Sequence, residues 1–256
     1  MSSSTPDRHH DAATAAESRP ATAAESHPAA TAAARLAEKL RSRILDGEMP
    51  PGTPLREEEL ARRHGVSRHT VRTALAALTA ERIARAVPFA GTRVATLDDD
   101  ELVALQQLRA ALETEAVRLI TAAHGTPWPA GIVEGTHAAL DRLAAAEAAG
   151  DWITTTRAHA AVHRAIVDAA GSPRISDAYA ALETEILLLL AHVRPHYAAP
   201  GLADEHRRYL ELLPTDGGEA VRAHLEHSTQ LIRAARGSAG DDDRPGSLPV
   251  PHRGGR

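Results

Sequence analysis

Fifteen histidines and no cysteine occur in these 256 residues, so any metal chemistry runs through imidazole and carboxylate rather than thiolate. His159 and His163 stand one helical turn apart, and Trp152, His159 and Ile166 share a stripe. His206 lies on the stripe of Leu202, Tyr209 and Leu213, while His224 and His227 share a helix face with Leu231. Three helices that each turn histidine inward can assemble a three- or four-ligand site for zinc or a similar divalent cation. A lone inward histidine is equally a hydrogen-bonded core residue, so spacing alone leaves both readings open.

Two further groups bear on chemistry. Arg109 sits seven residues from both Leu102 and Ala116, on an apolar seam with Leu105, Leu112 and Leu119. A guanidinium facing a core needs an anion, either Glu113 one turn away or the carboxylate of a ligand. The run Ser67-Arg68-His69-Thr70-Val71-Arg72 is polar and basic at its start, then apolar at Val71, Leu75 and Leu78. Such a start suits a helix entering the DNA major groove, with Arg68 and Arg72 meeting guanine edges or phosphates. No paired carboxylate stands beside the histidines in sequence and no nucleophile motif is present, so the chain reads as a non-enzyme. A metal-dependent hydrolase on a helical bundle is the weaker alternative, because it leaves the basic helix without a purpose.

The elements that position these groups are mainly helical. Hydrophobic residues make up 43% of the chain but aromatics only 2%, and an Ala- and Leu-rich core favours helix over strand. Residues 1–33 carry the tandem TAAESRPA and TAAESHPA with no large apolar side chain, and are expected to be a disordered arm. The tail 237–256 is expected to be disordered on the same grounds. Between them, residues 34–97 predict three helices and a short hairpin. Helix 35–45 presents Leu36, Leu40 and Ile44 on one face, and helix 56–64 ends at Gly65. A third helix starts at the N-cap Ser67, and strands near 83–87 and 92–95 flank Pro88-Phe89-Ala90-Gly91. Residues 98–236 predict an antiparallel bundle of about six helices, near 99–123, 130–149, 151–170, 174–194, 202–213 and 217–236.

Charge follows the same division. Residues 35–97 hold 12 Lys and Arg against 7 Asp and Glu, so with −5 overall the remaining chain carries −10. A basic segment joined to an acidic one points to a polyanion partner for the first part alone. No apolar run reaches the ~18–20 residues that span a bilayer, and no secretory signal is evident. The expectation is a cytoplasmic protein with no membrane partner.

The stretch ILDGEMPPGTPLREEELARRHGVSRHTVRTALAAL, with GTRV closing the wing, resembles the DNA-binding domain of the GntR family of bacterial regulators. That resemblance implies operator contacts from Ser67, Arg68, His69, Thr70 and Arg72, with the wing tip around Gly91 in the minor groove. Arg82 stands where the family usually has Gly, and Ala90 where it often has a basic or polar residue. LQQLRAALETEAVRL, VHRAIVDAAGSPRI and EHRRYLELL with AVRAHLEH look like the FCD effector domain of the FadR-type branch. This second likeness implies one divalent metal (zinc, nickel or manganese) per subunit, held by His159, His163, His206 and His227, with Arg109 binding a carboxylate effector. His159 takes the place of the family's Asp, His224 is the alternative to His227, and Ser172 replaces a frequent Asn. The implied function is a ligand-responsive transcriptional regulator. It is expected to be a homodimeric repressor on a palindromic double-stranded DNA operator, released by a small carboxylate. A bundle that only dimerises is the second reading.

Overall fold

The computed structural model describes residues 28–193 and 201–242. Its first unit opens with α1 (Pro28–Leu45), whose Leu36, Leu40 and Ile44 are buried. The helix thus begins earlier than expected, taking in 28–33 of the supposed arm. Pro at a first helical position gives up only an N–H that has no partner there, and the Ala run that follows propagates helix. Residues 1–27 lie outside the described residues. After α1 the chain turns at Gly47, with φ of 79°. α2 (Glu57–His64) carries three glutamates in its first turn and Arg62, Arg63 and His64 in its last, matching the helix dipole at both ends.

Gly65, at φ 64°, ends α2. The Ser67 hydroxyl then accepts the Thr70 amide at 3.0 Å to start α3 (Arg68–Ala80). Val71, Ala74, Leu75 and Leu78 of α3 are buried, so its other face is free to meet a partner. The wing is β1 (Ala84–Val87) paired antiparallel with β2 (Gly91–Val94), in register Ala84 to Val94 and Val87 to Gly91. Leu55 donates its amide to Thr92 O at 2.8 Å and Gly52 to Val94 O at 3.0 Å, tying the loop before α2 to the wing.

The second unit is all helical. α4 (Asp99–His124) starts in a reciprocal capping box between Asp98 and Glu101, satisfying two otherwise unpaired amides. α5 (Ala130–Ala148) and α6 (Trp152–Ala169) pack along each other, and α6 also meets α4. The single helix expected over 174–194 is two, α7 (Pro173–Ala180) and α8 (Glu183–Val193). No Gly or Pro marks the break between them, but α8 packs two ways, with Ile186 and Leu189 in the bundle core beside Tyr179. Tyr179 is buried with the bundle, whereas Leu188, with 0% exposure, joins the apolar cluster of the winged unit. α9 (Leu202–Asp216) and α10 (Gly218–Asp242) complete the bundle, giving seven helices among the described residues rather than about six. α10 continues through 237–242 of the expected tail, and 243–256 lie outside the described residues. No helix among the described residues is long and apolar enough to cross a membrane.

Candidate metal centre and DNA-reading surface

Four helices converge on one buried polar cluster. α6 supplies His159 and His163, α9 supplies His206 and Tyr209, α10 supplies His224, and α4 supplies Arg109 and Glu113. The placement of His206 is set from a distance. Glu147 on α5 accepts the amides of Gly201, Leu202 and Ala203 at 2.8–3.0 Å, a carboxylate capping the positive end of α9. His206 Nδ1 then faces the Leu202 carbonyl at 2.8 Å.

The hydrogen bonds fix the tautomers. His163 Nδ1 faces Glu113 Oε2 at 3.0 Å and His206 Nδ1 faces a backbone carbonyl. Both neighbours are acceptors, so each Nδ1 carries its proton and each Nε2 presents a lone pair. Those two Nε2 atoms lie 3.2 Å apart. Two lone pairs facing each other in a buried site repel unless a cation stands by them. The separation also matches the edge of a tetrahedral site, about 3.3 Å for nitrogens 2.0–2.1 Å from one ion. His159 Nδ1 is buried with no hydrogen-bond partner, and donor atoms of His159, His163 and His206 all lie within 4.8 Å of one another. The residues therefore fit a divalent metal.

The fourth histidine of the cluster is His224. Its ring lies 4.8 Å from that of His206 and 5.2 Å from that of His163, and it stacks on Tyr209 at 4.2 Å. Its Nδ1 is 3.5 Å from Glu205 Oε1. His227, the expected ligand, is exposed. It borders an open hollow of about 490 Å³ that also holds Glu205, Arg208 and His224. The two residues are three apart on α10, and the packing of α9 against that helix turns His224 inward. Burial holds His159, His163 and His224 well below the usual imidazole pKa, with neighbouring positive charge adding to it, and holds His206 down to about 4. All four are thus neutral and ready to donate lone pairs near neutral pH.

Arg109 meets Glu113, not an open cavity. Its side chain is 3% exposed, with Nη2 3.2 Å from Glu113 Oε1 and Nη1 donating to Gln106 Oε1 at 2.8 Å. Glu113 also accepts the Tyr179 hydroxyl at 2.7 Å and the Tyr209 hydroxyl at 3.1 Å. Burial alone would lower the Arg109 pKa, but Tyr179 and Glu113 outweigh it and hold the guanidinium charged. Of the two partners left open for Arg109, the structure supplies the internal one. Glu113 is also a carboxylate beside a histidine, which the sequence alone did not reveal. A cavity of about 20 Å³, room for one water, touches His159, His206, Thr156, Leu190 and Ser228.

The residues expected to read DNA lie at the start of α3. The Arg68 side chain is 62% exposed and bonds Glu58 at 2.8 Å, while that of Arg72 is 64% exposed and stands 3.7 Å from Glu57. Exposed pairs of this kind are worth only ~0–1 kcal/mol, so both arginines are readily given up to phosphate. His69 is exposed, but Thr70 is buried and spent on the cap with Ser67. Gly91 is the first residue of β2, and the apex of the wing is Phe89 and Ala90.

Residues 32–94 match the family model described as Bacterial regulatory proteins, gntR family, and residues 104–230 match the FCD domain. The chain is 31% identical over 201 residues to a protein of Paenarthrobacter nicotinovorans named "Probable D-xylose utilization operon transcriptional repressor". That match covers 78% of this chain and 87% of the relative. It is 33% identical over 134 residues to the HTH-type transcriptional repressor GlaR of Escherichia coli K12, covering 52% of this chain and 60% of GlaR. The fold is similar to that of a GntR regulator from Rhodococcus sp. RHA1, with a TM-score of 0.65 at 24% identity over 82% of this chain and 98% of that one.

Proposed function

The chain belongs to the GntR family of bacterial regulatory proteins, with an FCD domain behind its winged helix, and on that premise we propose a metal-dependent repressor released by a small carboxylate. It acts in the cytoplasm as a homodimer, setting two winged helices on a palindromic operator. His159, His163, His206 and His224 would hold one divalent ion, zinc or nickel in preference to manganese, because an all-imidazole set suits the former. When bound, that ion would supply a positive centre toward which a carboxylate is drawn.

The observation that carries this reading is the pair of lone pairs opposed at 3.2 Å between His163 and His206. Because Arg109 is already neutralised by Glu113, the anchoring of an anion falls to the imidazole-held ion. Thr156 and Ser228 offer hydroxyls beside it, and Leu190 an apolar wall. A cavity of about 20 Å³ does not hold even a small carboxylate, so binding must part the helices around it. Ligand and DNA then favour different poses of the chain.

The test is metal content by mass spectrometry on tag-free protein, alongside operator affinity with and without chelator. Near-stoichiometric zinc or nickel in wild type, lost in His163→Ala, is expected. Metal-free protein that still responds to carboxylates would overturn the metal reading. Loss of specific DNA binding in Arg68→Ala and Arg72→Ala, with folding intact, is expected of the reading helix.

A further inference from the structure

The wing presents an aromatic ring where a cation is the ordinary means of gripping DNA. Phe89, the only phenylalanine of the chain, is 111% exposed, while the next most exposed large apolar side chains, Leu108 and Leu212, reach 47%. Its backbone has φ of 61°, a left-handed conformation that is uncommon for a bulky residue. The turn is closed by the Ala90 amide donating to Val87 O at 3.0 Å. Pro88 then fills the second position, where a fixed φ fits, and Phe89 the third, where positive φ belongs to glycine. The fold gains nothing from a phenyl ring at that point, since the ring touches no core.

Behind the tip, Arg93 is held by the protein, while Arg85 and Arg82 keep largely exposed side chains with only loose internal partners. Arg93 donates to Gly52 O at 2.9 Å. Arg85 donates to the Thr96 hydroxyl at 3.0 Å and lies 3.6 Å from Glu101. Arg82 lies 3.6 Å from Glu185 on α8. The apex itself, Pro88-Phe89-Ala90, is apolar throughout and stands farther out than these arginines' internal contacts.

We propose that Phe89 is a DNA-contacting wedge, its ring entering the minor groove and partly unstacking a deformable base step beside the sequence read by α3. Apolar side chains used in this way repay the unstacking by bending the duplex onto more protein surface. The steps that yield most easily are pyrimidine–purine ones such as TA and CA. Phe89 thus contributes specificity through deformability, at positions where no hydrogen bond is made to a base.

The strained φ makes the test sharp, because Phe89→Gly relieves the turn while removing the wedge. A duplex selected from a random-sequence pool by the full-length protein serves as probe, with 2-aminopurine placed in turn at each adenine. Wild type is expected to raise fluorescence at one step per half-site. Phe89→Gly is expected to abolish that rise and weaken binding tenfold or more, with a melting temperature no lower than wild type. Phe89→Leu, which keeps an apolar wedge, should stay within about threefold of wild-type affinity. Equal affinity and equal fluorescence for Phe89→Gly would overturn the proposal. A pool that enriches no sequence with wild type would instead overturn the DNA-binding reading on which the proposal rests.

Discussion

Replacing Glu113 with Gln should be among the most damaging conservative changes in this chain. The Glu113 side chain is 0% exposed and that of Arg109 3%, so removing the negative charge leaves a guanidinium stranded in the core. Breaking a buried pair from one side costs about 3–5 kcal/mol, a large share of the ~5–15 kcal/mol that holds a typical domain folded. Arg109→Met strands the carboxylate instead. It should cost less, because Tyr179, Tyr209 and His163 still donate to Glu113 and charge-assisted bonds are worth roughly 1.5–3 kcal/mol each. The double variant leaves no buried charge and should be destabilised by clearly less than the two singles together, with a coupling of about 2 kcal/mol or more. Urea unfolding at fixed protomer concentration reads this directly. With a slope near ~3 kcal/mol per molar, Glu113→Gln should lower the midpoint by about 1 M. Single variants that each cost under ~1 kcal/mol, or a double variant equal to their sum, would refute the account of Glu113 as the neutralising hub.

Three other outcomes follow from the same geometry. His224→Ala should lower metal affinity at least tenfold while His227→Ala leaves it unchanged, as measured by competition with a chromogenic chelator; the reverse would return the fourth ligand to His227. Burial holds His206 at about 4, below the ordinary 6.5, so the unfolded chain takes up the proton first. The contribution is intact above pH 6.5 and is lost as pH falls toward 4, at up to ~1.4 kcal/mol per pH unit; thermal melts of chelator-treated protein that stay flat from pH 7 to 4.5 would contradict this. Leu188→Ala should cost about 2–5 kcal/mol by opening a cavity, and the winged unit should show it as faster amide exchange in α1 and α3.

Local sequence sufficed for much of the fold. Ser67 caps α3, Gly65 stops α2, and the apolar period of α4 predicted residues 99–123 against an observed 99–124. The candidate site was legible as residue types but not as a network. Glu113 bonds His163, Tyr179 and Tyr209 across 50, 66 and 96 residues, and Glu147 caps α9 from 54 residues away. No helical period encodes such distances. Which of His224 and His227 is buried was not legible for a related reason, since both share a face of α10 and only the packing of a neighbouring helix turns His224 inward. Phe89 is legible in sequence only as a turn residue, because exposure at a turn apex is a property of the folded hairpin.

The break between α7 and α8 gives the two units a mechanical connection. Tyr179 on α7 donates to Glu113, which in turn orients His163. Six residues later, α8 sends Glu185 to within 3.6 Å of Arg82, and beyond it Leu188 enters the core of the winged unit. Arg82 holds a left-handed φ of 58°, a position that favours glycine. The side chain that tolerates this strain is the one that reaches across to α8. Arg157 adds a second link to the winged unit through Asp46 at 2.8 Å. Parting the helices around a cavity of about 20 Å³ therefore displaces a lever anchored in both units. An effector that moves Tyr179 must either carry the winged unit with α8 or break the contacts at Arg82 and Leu188. In the dimer proposed above, either outcome would alter how the two winged units are held for an operator. The prediction is that Glu185→Gln leaves metal binding untouched but weakens the effect of ligand on operator affinity. Titrating the operator at saturating and zero effector measures this coupling, and an unchanged ratio would show that α8 is not the connection.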